Sequence, residues 1–177
     1  MFPSLVELAC RILGKYFPSI ESFRYIPNEF VDNIFDEYLK TISSFSIINE
    51  NNLQKIVNSL TDYHADQFCT SFCYYKTNQL NFLTTNFYLQ LFKRMQNNLI
   101  QLDFSNALEL FDYENKRNLL NIIGQMEALE YLRLTYNRLD DDDIRLLTAN
   151  NRIQSKGLCN LHTLHLQGMN GRIIFIV

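Results

Sequence analysis

Apolar positions recur along the first sixty residues with helical rather than strand spacing. Leu5, Leu8, Ala9, Ile12, Leu13 and Tyr16 fall at i, i+3, i+4, i+7, i+8 and i+11, one face of a helix. Ser4, followed three residues later by Glu7, predicts a capping box at its start. Leu8 and Ile12 are expected to carry more of the internal packing than Leu5, which sits close to the helix start. A second helix is predicted from Pro27, which suits a first helical position because it has no N–H to leave unpaired. Phe30, Val31, Ile34, Phe35, Tyr38 and Leu39 form its apolar side. Residues 41–48 are Ser-rich and read as a turn with Ile42 and Phe45 directed inward. Asn52 then suits the cap of a third helix carrying Leu53, Ile56, Val57 and Leu60. The pattern predicts a helical domain over residues 1–63, a linker at 63–66, and a second domain over 64–177.

Beyond that point the pattern changes. Leu129-Glu130-Tyr131-Leu132-Arg133-Leu134-Thr135-Tyr136-Asn137 is a full match to LxxLxLxxN, with Leu139 at the next apolar position. One period of roughly thirty residues earlier, Leu99, Leu102 and Phe104 occupy the same slots. One period later Leu161, Leu164 and Leu166 do so, with Met169 where Asn would stand and Asn170 beside it. Phe72 and Tyr74, preceded by Cys69, make a weaker first copy. Helical spacing fills the gaps, with Tyr88, Leu91, Phe92 and Met95 in one stretch and Leu119, Leu120 and Ile123 in the next. A third holds Ile144, Leu146 and Leu147.

Each strand-plus-helix unit can bury its apolar face only against its neighbours, so such units come stacked. The expected fold is α/β: an N-terminal helical module followed by a short leucine-rich-repeat horseshoe of three to four units. Strand alternation sends Gln101, Asp103, Tyr131, Arg133, Thr135, Thr163 and His165 to the concave face. Among these, Tyr131, Arg133, Thr135 and His165 are candidates for binding a partner. After Leu166 come Gly168, Gly171 and the apolar run from Ile173 to Val177, with no polar cap. The expectation is a truncated solenoid, from a fragment or short isoform rather than an end covered by a partner.

Composition narrows the function. A hydrophobic content of 47%, with 14 Phe and 10 Tyr, supports a real core in 177 residues. A formal net charge of −3 and the lack of a long basic run argue against nucleic acid as partner. Cys10, Cys69, Cys73 and Cys159 show no CxxC pair, so free thiols in a reducing compartment are expected. Cys69 and Cys73, near Phe68 and Phe72, read as small buried hydrophobes. Glu7 and Arg11 interrupt the N-terminus before a signal-peptide core develops, and the run ending at Val177 is too short to span a membrane. A soluble protein of the cytoplasm or nucleus follows, with no membrane partner.

Candidate chemistry is sparse. Asp140-Asp141-Asp142-Asp143 lacks the alternating ligands, glycine and distal Glu of a calcium loop, so Asp142 or Asp143 is expected to cap a helix beginning at Ile144. Cys159, His162 and His165 have no evident fourth ligand for zinc, and His165 is expected as an exposed surface histidine. No GxSxG, HExxH or phosphate-cradling glycine loop occurs among the five glycines. Neither enzyme activity nor a metal or cofactor is expected.

Two short patterns near the N-terminus point elsewhere. Ser4-Leu5-xxx-Ala9-xxx-Leu13 resembles an elongin-binding box, and Ile26-Pro27-xx-Phe30-xxx-Ile34 resembles a cullin-2 box. Together with the repeats, they make nearly the whole chain resemble the Zyg-eleven/Zer-one type of substrate receptor of cullin-2 ubiquitin ligases. The resemblance implies that Leu5, Ala9 and Leu13 meet elongin C, with elongin B beside it, and that Ile26, Pro27, Phe30 and Ile34 meet cullin-2. It implies a non-catalytic subunit that holds a protein substrate near the charged ubiquitin carrier. Nothing in the chain corresponds to the armadillo-like region with which that family reads substrates. Residues 26–39 also resemble the opening of an F-box, the adaptor motif of Skp1–cullin-1 ligases, though the later Cys and Trp features of that box are missing. A leucine-rich-repeat scaffold unrelated to ubiquitin, with the helices as a cap, fits the same pattern.

Overall fold

The computed structural model describes residues 3–20, 23, 25–41, 50–63, 65–69 and 85–167. These divide into two compact units, one made of the described residues up to Tyr63 and the other of those beyond it. Residues 42–48 of the expected turn, Phe72, Tyr74, Cys73 and the run ending at Val177 lie outside the described residues, while Thr41 ends the second helix.

The first unit contains α1 (Leu5–Lys15), a 3-10 turn (Phe17–Ser19), α2 (Asn28–Thr41) and α3 (Glu50–Tyr63). Ser4 Oγ accepts from the Glu7 N–H at 3.2 Å, while the Ser4 N–H donates to Glu7 Oε2 at 2.7 Å. This closes the capping box and satisfies two backbone donors the helix cannot. Only Cys10 and Gly14 of α1 are buried. They stand one turn apart, and Gly14 is needed there: a Cβ would lie 2.6 Å from Glu37 Cβ and 3.0 Å from the Tyr38 nitrogen on α2. Beyond α1 the chain drops Phe17 into the core, where its ring stacks on Tyr38 at 4.4 Å. Phe23 and Phe35 flank it at 5.1 and 5.3 Å. Val31, Ile34, Ile56, Val57 and Leu60 complete this core. Asp62 Oδ2 on α3 accepts from the Phe23 N–H at 2.6 Å, tying the connection to the third helix.

The second unit alternates strands and helices: β1 (Gln67–Cys69), α4 (Thr85–Met95), β2 (Gln101–Asp103), α5 (Tyr113–Ile123), β3 (Tyr131–Arg133), α6 (Asp141–Leu147), α7 (Ala149–Gln154) and β4 (Thr163–His165). A 3-10 turn, Leu108–Leu110, precedes α5. The strands form one parallel sheet in sequence order, and the unit is α/β. Register aligns Phe68, Leu102, Leu132 and Leu164 in one row across the sheet. The first three are buried, whereas Leu164 on the last described strand is 41% exposed. The first strand is thus centred on Phe68, four residues ahead of the copy expected around Phe72. Leu91, Phe92 and Met95 of α4, Leu119, Leu120 and Ile123 of α5, and Leu147 of α6 are buried. Phe92 meets Phe68 edge-on at 5.5 Å and Phe104 at 4.9 Å.

The turn after β2 explains the spacing of the motif. Asn137 is 2% exposed, and its Oδ1 accepts from the Ala107 and Leu108 N–H groups at 2.8 and 2.9 Å. Its Nδ2 donates to the Phe104 carbonyl at 2.8 Å. One carboxamide therefore satisfies three buried backbone groups of the preceding turn, and an apolar residue there would leave all three unpaired.

The helix after β3 begins earlier than the run of aspartates suggested. It starts at Asp141, with Asp140 as its cap and Asp143 closing a capping box. Asp143 is also buried against Lys116 of α5, whose Nζ lies 2.5 Å from Oδ2. The sequence pattern placed the cap two or three residues too late because any of the four aspartates can accept from the backbone. Choosing among them takes the lysine on the neighbouring helix.

Candidate functional site

Two surfaces draw together the residues singled out in the sequence, one in each unit. On α1 the whole apolar stripe points outward. Leu5 is 84% exposed, and Leu8, Ile12, Leu13 and Tyr16 are exposed as well, with Ala9 between them. Leu8 and Ile12 were expected to carry internal packing and do not. Helical periodicity does predict one apolar stripe, but the stripe that meets α2 is the narrow Cys10–Gly14 row. Two small residues one turn apart were the signal for that contact. The result is a capped helix presenting Leu5, Ala9 and Leu13 on an accessible face, with the charged Glu7, Arg11 and Lys15 on the far side of the helix from them.

The second box is only partly accessible. Pro27 is exposed and Ile26 and Phe30 are half-buried, but Ile34 is 1% exposed and belongs to the core. A partner could therefore touch Ile26, Pro27 and Phe30, while Ile34 holds α2 in place. Tyr25, which the pattern did not single out, is the most exposed large side chain beside them. Burial also pushes the Tyr38 hydroxyl on α2 above its ordinary pKa of 10.0.

The second surface is the polar face of the sheet. Gln101, Tyr131 and Thr163 share one row of the register, and Asp103, Arg133 and His165 share the next. Tyr131 and His165 face each other with ring centroids 5.4 Å apart, and the Arg133 guanidinium lies 5.9 Å from the Tyr131 centroid. Arg133 Nη1 reaches Asp103 Oδ2 at 3.4 Å. Behind them, Thr135 Oγ1 donates to Ser105 Oγ at 2.8 Å, and Ser105 Oγ donates to Asp103 Oδ1 at 2.6 Å. Thr135, expected on the open face, is buried and committed to this relay. Ser105 was not singled out at all, because its role depends on a neighbour thirty residues away.

Cys159, His162 and His165 are each exposed, and among the described residues no three His, Cys, Asp or Glu side chains are grouped to hold a metal ion. Among the same residues no helix is long and apolar enough to cross a membrane. No family model, no curated protein and no solved structure matches the chain.

Proposed function

We propose that the chain is a non-catalytic adaptor of a cullin-2–elongin B/C ubiquitin ligase, acting in the cytoplasm or nucleus. In this reading the face of α1 carrying Leu5, Ala9 and Leu13 docks on elongin C, and Ile26, Pro27 and Phe30 meet cullin-2. The sheet face around Tyr131, Arg133 and His165 takes a protein cargo. Its contribution to ubiquitin transfer is proximity: holding a substrate lysine near the charged carrier raises its effective concentration without supplying chemistry.

The observation that carries the reading is the exposure of the apolar face of α1. Burying such side chains is worth about 1.5–3 kcal/mol each, so a helix that leaves Leu5, Ile12 and Leu13 in water is shaped for a partner. Ala9 lies midway between Leu5 and Leu13, where a larger side chain would hold a partner's backbone away. Stacked leucine-rich repeats as the architecture of the second unit are supported by the aligned Leu102 and Leu132, and by the buried Asn137 wired into the preceding turn.

Elongin C and Skp1 serve as competing baits. Capture by elongin C, weakened by about 2 kcal/mol or more in Leu5→Ala, is the expected result for an anchoring side chain. Leu5 is too exposed to contribute much to the fold, so the variant keeps its melting temperature. Capture by Skp1 alone would move the chain to the F-box class. Capture by neither would leave a scaffold unrelated to ubiquitin.

A further inference from the structure

The polar face of the sheet has a chemistry of its own. Parallel sheets are ordinarily covered on both faces, yet here Gln101 and His165 are exposed and Tyr131, Arg133 and Thr163 are half-covered. The strands beneath are fixed in register, so these side chains stand on a rigid base. We propose that this face binds a peptide carboxylate, gripped by Arg133, with an adjoining apolar side chain laid on the Tyr131 and His165 rings. This names the cargo class of the adaptor role proposed above and rests on that reading for the ligand's being a substrate.

The guanidinium is held but not used up. Thr135, Ser105 and Asp103 form a relay of hydrogen bonds that ends on Arg133, spanning β2 and β3. The last step is 3.4 Å long, against about 2.7–2.9 Å for a strong charge-assisted bond. Asp103 Oδ1 is meanwhile engaged by the Ser105 hydroxyl and by its N–H at 3.2 Å. Asp103 thus holds Arg133 through Oδ2 alone, at a distance that leaves the guanidinium's other N–H groups directed elsewhere. Among the described residues no other acid reaches the guanidinium, and its side chain is 42% exposed. A guanidinium fork set in place by one weak contact suits a planar carboxylate, which can accept two parallel N–H bonds.

The surroundings choose among anions. A phosphate, carrying close to two negative charges, would face the Asp103 carboxylate beside Arg133, the one Arg or Lys among the described strand residues of this face. A carboxylate carries one charge. The two rings beside Arg133 offer flat apolar area that a free inorganic anion would leave unused, whereas a peptide side chain would cover it.

Four defined probes test this by titration into the isotopically labelled full chain, followed by amide resonances of residues 131–135 and 163–165. They are acetyl-Phe-Glu-Phe-amide, acetyl-Phe-Gln-Phe with a free C-terminal carboxylate, neutral acetyl-Phe-Gln-Phe-amide, and acetyl-Phe-phosphoSer-Phe-amide. One or both carboxylate peptides are expected to shift these resonances saturably, at least about tenfold more tightly than the neutral peptide. Which of the two binds tells whether an acidic side chain or a chain terminus is read. Arg133→Gln should abolish that preference while the rest of the spectrum stays unchanged, and Arg133→Lys should restore part of it. Equal binding of the neutral peptide, tighter binding of the phosphopeptide, or no shift with either carboxylate peptide would overturn the proposal. Elongin C takes no part in the titration, so its outcome is independent of whether α1 docks there.

Discussion

Helices α1 and α5 are each eleven residues long, each begins with a side-chain cap, and each carries apolar residues at helical spacing. Their fates are opposite. Leu119, Leu120 and Ile123 of α5 are wholly buried, while Leu5, Leu8, Ile12 and Leu13 of α1 remain in solvent. Helix α5 packs between α4 and α6 and takes part in a layered core. Helix α1 instead touches α2 along a stripe of small residues, close enough to need Gly14. Periodicity says which residues share a side of a helix. The size of the residues on each side says which of them can approach another helix closely.

That contrast can be broken most directly by truncation. Leu120→Ala on α5 should cost about 2–5 kcal/mol in chemical denaturation, the range for a fully buried leucine. Ile12→Ala on α1 should cost no more than about 0.5 kcal/mol, as for other surface substitutions. Equal losses would mean that the α1 face is covered in solution and would remove the basis for a docking role.

A smaller effect tests the narrow stripe. In Gly14→Ala the new methyl meets Glu37 Cβ and the backbone of Tyr38, neither of which can swing aside. Overpacking of this kind costs about 1–3 kcal/mol, offset by about 1 kcal/mol of improved helix propensity. A net loss near 1 kcal/mol is expected, accompanied by faster amide exchange in α1 than elsewhere in its unit. A variant as stable as the parent would show that α1 and α2 are not held this closely.

The smallest effect concerns the core that α2 shares with Phe17. Burial raises the Tyr38 pKa above 10.0, so the folded state favours the neutral phenol more than the unfolded chain does. Its contribution to stability is complete below that value and is lost as pH rises through the folded-state pKa. Denaturation midpoints at about pH 8 and about pH 11 should therefore differ more for the parent than for Tyr38→Phe. An identical difference in both would show that the phenol ionises as easily folded as unfolded.

Much of the second unit was legible because its pattern is redundant. Leu129, Leu132, Leu134 and Asn137 define one unit so fully that the strand, the buried row and the turn all follow, and the neighbours at Leu102 and Leu164 inherit the register. The strand centred on Phe68 escaped notice because Phe72 and Tyr74 resemble the motif as well as it does, and only pairing with Leu102 brings Phe68 forward. On α1 the apolar residues were identified correctly and their surroundings were not. Cys10 and Gly14 attract no attention beside five larger apolar residues, yet they are the ones another helix can reach. Ile34 shows the converse, since its place in a short motif suggests a contact that its burial denies. The Thr135–Ser105–Asp103 relay lay beyond reach of local pattern, because its members matter only once two strands are laid side by side.

The amide of Asn137 also bears on how firmly neighbouring parts of the second unit hold together. In a stacked array each seam between neighbouring turns has its own strength. The seam joining the β2 and β3 turns is latched by three hydrogen bonds from one side chain. Thirty residues earlier the corresponding position is Ala107, whose methyl side chain can make no such bond. Among the described turns, the one between β2 and β3 is locked by a side chain, and the β2–β3 pair is therefore expected to be the last part of the sheet to exchange its amides.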